Sequence, residues 1–175
     1  IMKSVNFTAI AIGFFGLVAT ASFGADTGSE YKIEVCSIPL SEVVISRVRP
    51  WVAPFNLQHM FVRGFDGKSF TGLNFQPKDP MNVMGEVAEI GKQNYEKAFC
   101  KSILTTSNKQ KYDDAWKKIV DEFELATRTY RYSVLGKHCQ TVTEEVLAKL
   151  GYAIPQEISA QFQQQNELQN GCKQQ

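Results

Sequence analysis

The chain has no CxxC pair, no massed block of basic residues and only two histidines, and each shortage removes a class of chemistry. Without CxxC there is no support for a dithiol redox site. Neither the spacing of the four cysteines nor the histidine count suggests zinc, so no metal and no cofactor are expected. Nineteen Lys and Arg stand against eighteen Asp and Glu, and Arg47, Arg49 and Arg63 are spread along the chain. No nucleic-acid partner is expected from that balance. An apolar run long enough to span a bilayer is also lacking. The uncharged stretch from Ala9 to Ala19 follows Met2 and Lys3 and precedes small residues at Ala19, Ala21 and Ser22 to Gly24. This order reads as a secretory signal peptide over residues 1–24, whose removal leaves no stable membrane anchor. A periplasmic or secreted protein is expected.

What remains is roughly 150 residues, enough for one hydrophobic core. Taking away Lys3 leaves 18 basic and 18 acidic residues, a mature charge near zero. Export permits disulfides among Cys36, Cys100, Cys139 and Cys172. Spacing does not dictate connectivity. A working thiol at Cys139 would have to stay unpaired, and the pair expected among the other three is Cys36 with Cys100.

Tyr31, Ile33 and Val35 alternate with polar residues, the period of a half-buried strand, and Val43 to Val48 is a second candidate. Pro50 and Pro54 make the next segment an extended connection. His59 to Phe65 and Lys68 to Phe75 then flank Asp66 and Gly67, the dipeptide of a two-residue hairpin turn. That turn sets His59 opposite Asn74 on one face of the ladder, within hydrogen-bond reach. A bulge at Gly64 or Gly72 would instead bring Gln76 to that place.

Asp79 and Pro80 resemble a helix start, and Met81 to Ile103 is mostly helical in composition, with Val83, Val87, Tyr95, Ala98 and Phe99 as its apolar stripe. Ser107 with Gln110 forms a capping box ahead of Tyr112, Trp116, Ile119, Val120 and Phe123, which follow helical spacing and form core. Thr129 to Leu135 is a short extended piece. A third helix begins near Cys139 and ends at Gly151, with Val142, Val146 and Leu150 on one face. A cysteine on such a face is commonly a small buried hydrophobe. At a helix N-terminus, however, the macrodipole favours the thiolate, and the free backbone N–H groups can bind an oxyanion. His138 immediately precedes it, but successive helical residues point about 100° apart, so it reads as a surface or oxyanion-side residue and not as the base.

The segment from Tyr132 to Leu147, with Leu135, Cys139 and Leu147 at their intervals, resembles the Y-x-x-L-x-x-N-C segment of circularly permuted papain-like thiol hydrolases, the NlpC-type and lecithin-retinol-acyltransferase-like groups. His138 stands where Asn is common, and Val142 replaces an aromatic residue. The resemblance implies an α+β domain, a small antiparallel sheet packed against about three helices, over residues 25–152. A Gln-rich tail over 153–175 follows, a short helix with Ile158 and Phe162 spaced to dock on the body. It also implies Cys139 as nucleophile, His59 as general base and acid, and Asn74 as the residue that orients the imidazole. The function expected is hydrolysis of an amide or peptide bond through a Cys139 thioester, in a peptide or peptidoglycan-like substrate, by a monomer. The competing expectation is a disulfide-stapled secreted binding or inhibitory protein, in which His59 is structural and Cys139 bonded.

Overall fold

The computed structural model describes residues 30–43, 57–79, 84–92, 95–133 and 136–171. The expected signal peptide, the Pro50 to Pro54 connection and Cys172 lie outside the described residues. Alternation carries the first strand as anticipated: β1 (Tyr31–Pro39) turns Ile33 and Val35 to one face and Cys36 and Ile38 toward the other. A helical turn α1 (Leu40–Val43) follows it, so Val43 ends a turn, and the rest of the second candidate strand lies outside the described residues.

Strands β2 (Gln58–Phe65) and β3 (Phe70–Pro77) form the hairpin. Its loop is four residues long, because Asp66 Oδ1 accepts from the backbone N–H groups of Lys68 at 2.9 Å and Ser69 at 2.8 Å and draws both into the turn. Gly67 supplies the positive φ, 89°, that this loop requires. Phe65 therefore pairs with Phe70 and Val62 with Leu73, two positions away from the register expected of a two-residue turn. A shift of two preserves the face of every side chain, whereas a shift of one would have inverted it.

The segment expected to be one long helix, Met81 to Ile103, is instead two strands among its described residues: β4 (Met84–Gly91) and β5 (Phe99–Thr106). Gly85 and Gly91 weaken any helix there by about 1 kcal/mol each. The β-rich end, Ile103, Leu104, Thr105 and Thr106, finds a sheet edge to pair with beside β1. Cys36 and Cys100 stand opposite each other in that pairing, and their sulfurs are bonded. With β6 (Arg131–Ser133), the six strands form one sheet in the order β5-β1-β2-β3-β4-β6, antiparallel at each pairing.

Three longer helices complete the α+β fold: α2 (Lys109–Thr129), α3 (Cys139–Lys149) and α4 (Gln156–Gly171). The first is capped by Asn108, whose side chain accepts from the Lys111 N–H at 3.0 Å, one residue later than the Ser107 box. Gly151, at φ 80°, follows the last turn of α3 as its sequence position suggests. The main core joins Ile33, Val35, Met60, Val62, Leu73 and Phe75 of the sheet to Ile119 and Phe123 of α2, Val142, Val146 and Leu147 of α3, and Ile158 and Phe162 of α4. Full burial of each such side chain contributes about 1.5–3 kcal/mol. Among the described residues no helix is long and apolar enough to cross a membrane.

The opposite face of the sheet carries a smaller cluster, Cys36, Ile38 and Phe61, with Tyr95 and Ala98 packed against it. Two-residue alternation along β2 thus sends Met60 and Val62 to the helices, and His59 and Phe61 to this second face.

Candidate active site

Strand β2 holds His59 at its beginning, paired with Ile38 of β1. The ladder between β2 and β3 reaches only Val62 and Leu73, and beyond it Asn74 to Pro77 pair with β4. At this opening His59 and Asn74 meet: His59 Nε2 lies 3.2 Å from Asn74 Nδ2. The contact is diagonal and not directly across, because the four-residue loop moves the register, yet both side chains keep the face the sequence assigns them. Both are buried, His59 at 4% exposure and Asn74 at 0%. Among the described residues, the rings against His59 are Phe61, stacked with centroids 6.1 Å apart, and Tyr95, edge-on at 6.0 Å.

Cys139 is the first residue of α3. His138 precedes it as the N-cap: its backbone N–H donates to Thr141 Oγ1 at 3.0 Å, and its carbonyl accepts the first helical bond, from the Val142 N–H at 3.0 Å. The imidazole of His138 is half-buried. The N-terminus of α3 abuts β2, and the backbone N–H of Met60 is directed at the Cys139 sulfur. The fold thus brings the thiol to the residue that follows His59 in the strand. Cys139 carries a free thiol and is 5% exposed. Tyr95 and Tyr132 both lie within electrostatic range of that sulfur, since a Cys139 thiolate would raise the pKa of either phenol.

Burial sets the resting charges. It lowers the His59 imidazole to a pKa of about 4 and, to a lesser degree, lowers His138. Burial pushes the Cys139 thiol up to about 11, against the opposing pull of hydrogen bonds from the backbone N–H groups of Met60, Gln140 and Cys139 itself. Desolvation disfavours charge on either group, so at neutral pH the site rests as thiol and neutral imidazole. The Tyr95 phenol, likewise desolvated, is pushed up to about 12 and stays protonated.

His59, Asn74 and Gln76 therefore share the second face of the sheet at the end of the β2–β3 ladder, whereas Cys139 belongs to α3, which packs on the opposite face and meets β2 at Met60. Tyr95 and Glu89 join them without having been anticipated. Tyr95 fell inside a segment that resembled a helix. Glu89 is bound to the site through Gln76, whose Nε2 donates to Glu89 Oε1 at 2.8 Å. Two amide side chains at positions 74 and 76, on one face of an otherwise apolar strand, were the available signal. Among the described residues, the cluster with metal-ligand chemistry is Glu34 with Cys36 and Cys100, and both of its sulfurs are committed to the disulfide. No family model, no curated protein and no solved structure matches this chain.

Proposed function

We propose that this chain is an exported cysteine hydrolase of the permuted papain-like kind, cleaving an amide or peptide bond through a thioester on Cys139. The observation that supports the proposal is a free thiol at the N-terminus of α3, beside Met60, the residue after His59, whose imidazole lies 3.2 Å from the Asn74 amide. His59 takes the thiol proton as the sulfur bonds to the substrate carbonyl carbon. The developing oxyanion is met by backbone N–H groups at the start of α3. The same proton then leaves with the departing amine, and water, deprotonated by His59, hydrolyses the thioester and restores the thiol. Because the resting pair is neutral, thiolate forms only in step with bond formation. Peptides, including the stem peptides of peptidoglycan, are the proposed substrates. The Cys36–Cys100 bridge is consistent with an oxidising compartment.

A second reading, a disulfide-stapled binding protein without catalysis, is favoured by one observation: Cys139 and His59 are both buried in their uncharged forms. Native, non-reduced protein treated with iodoacetamide separates the two. The hydrolase alkylates at Cys139, identified by peptide mass, and His59→Gln slows that reaction. Alkylation at Cys139 that is indifferent to His59, or none, favours the binding protein. Peptidoglycan sacculi incubated with the wild type and with Cys139→Ala then test the substrate class, through stem peptides released only by the wild type.

A further inference from the structure

Asn74 stands in the middle of a hydrogen-bond chain that ends at a carboxylate. Gln76 Nε2 donates to Glu89 Oε1 at 2.8 Å, Asn74 Nδ2 donates to Gln76 Oε1 at 3.0 Å, and the same Nδ2 lies 3.2 Å from His59 Nε2. Which end of an amide is nitrogen is decided by its partners, and here one partner leaves no choice. An ionised carboxylate only accepts, so Gln76 must turn its nitrogen toward Glu89 and its oxygen toward Asn74. Asn74 must then offer its nitrogen to Gln76, and that nitrogen is the atom facing the imidazole. His59 Nε2 consequently accepts, and the proton of the neutral ring sits on Nδ1.

One further feature is in keeping with this polarity, and another shows how tightly the amides are packed. Asn74 Oδ1 is buried and has no hydrogen-bond partner, the result expected when the far end of a chain dictates the orientation of a fully buried amide. Gly91, paired with Asn74 across β3 and β4, packs its backbone so closely that an added Cβ would stand 2.1 Å from Asn74 Oδ1 and 2.4 Å from Gln76 Oε1. The amides are held as a packed unit, not as free rotors.

We propose that Gln76 and Glu89 are positioning residues that set, through Asn74, which ring nitrogen of His59 carries the proton. The functional consequence rests on the hydrolase reading. With the proton on Nδ1, the nitrogen not engaged by Asn74 cannot take up the Cys139 proton, so the relay biases the resting site toward its less reactive tautomer and the minor tautomer carries the base-assisted reaction. Reversal turns both amides: Gln76 Nε2 donates to Asn74 Oδ1, which also accepts from His59 Nε2–H, and Gln76 Oε1 meets a donor at position 89. The ring loses its Nδ1 proton to solvent and gains one at Nε2, and the amide of Glu89→Gln supplies the donor at position 89.

Nitrogen-15 spectra of histidine-labelled protein, in a His138→Gln background that leaves one histidine, read the tautomer directly. The expected result is an Nδ1-protonated His59 with Glu89 in place, and a shift toward the Nε2-protonated form in Glu89→Gln and in Gln76→Leu. An unchanged tautomer across the three proteins overturns the proposal, as does an Nε2-protonated ring in the first. Iodoacetamide provides the second measurement, with Glu89→Gln expected to speed alkylation of Cys139 by about tenfold, and the gain lost on adding His59→Gln. A tautomer that shifts beside a thiol indifferent to His59 removes the hydrolase and keeps the relay. A thiol that depends on His59 beside an unmoved tautomer removes the relay and keeps the hydrolase.

Discussion

Replacing Gly91 by alanine adds one methyl group where the candidate site has no room for it. The new Cβ would meet Asn74 Oδ1 at 2.1 Å, Gln76 Oε1 at 2.4 Å and Asn74 Cγ at 2.8 Å, and the first falls about 1.3 Å short of the 3.4 Å at which ordinary contact begins. Asn74 is fully buried, so its amide cannot swing into solvent to make way. A retreat of that size carries the amide away from His59 Nε2, now 3.2 Å distant, and from Gln76. Overpacking of this kind costs about 1–3 kcal/mol, and each of the two hydrogen bonds lost about 1 kcal/mol more, giving about 4 kcal/mol as a central value. For a chain of this size that lowers Tm by about 8–16 °C, measurable by calorimetry or circular dichroism. Gly136→Ala is the matched control, since its Cβ would meet nothing closer than 3.7 Å. A Gly91→Ala protein that melts with the wild type would refute both the closeness of β4 to Asn74 and the packed relay built on it.

Burial of neutral His59 makes stability depend on pH. Its folded pKa of about 4 lies below the ordinary 6.5, so the unfolded chain binds the proton first, and stability falls as pH drops from 6.5 toward 4. The loss from this one group is about 2 kcal/mol at about pH 5. Urea midpoints measured between neutral pH and that point should show it in the wild type, with His138 adding in the same direction. Flattening by His59→Gln is expected, and a wild-type profile already flat would contradict the burial. At the alkaline end, Cys139 with its raised pKa withdraws stability as pH climbs from 9 toward 11, and Cys139→Ala should remove that decline. The Cys36–Cys100 bridge closes a separation of 64 residues, for which chain entropy gives about 4 kcal/mol. The Cys36→Ala, Cys100→Ala double variant should therefore melt well below the wild type, and equal melting temperatures would mean that the bridge adds nothing.

Much of this architecture was legible because it depends on local period. The alternation at Tyr31 to Val35, the helical stripe from Tyr112 to Phe123, and the helix bounded by Cys139 and Gly151 all stand where spacing puts them. Helix composition misled at Met81 to Ile103, because residues neutral between helix and strand follow whatever partner is available. Strand β1 offered β5 an edge, and the helix offered nothing comparable.

By itself the sequence determined which faces carry His59, Asn74 and Cys139, since side-chain period is a property of the local backbone. It also held the signals for the hairpin and for the free helix N-terminus. The tertiary structure decided how far these groups converge. A side-chain hydrogen bond from Asp66 lengthened the loop and moved the register by two, and the end of the β2–β3 ladder opened the place where the amide reaches the imidazole. Burial then removed both resting charges, because desolvation is a property of everything packed around a group and of nothing in its own place along the chain.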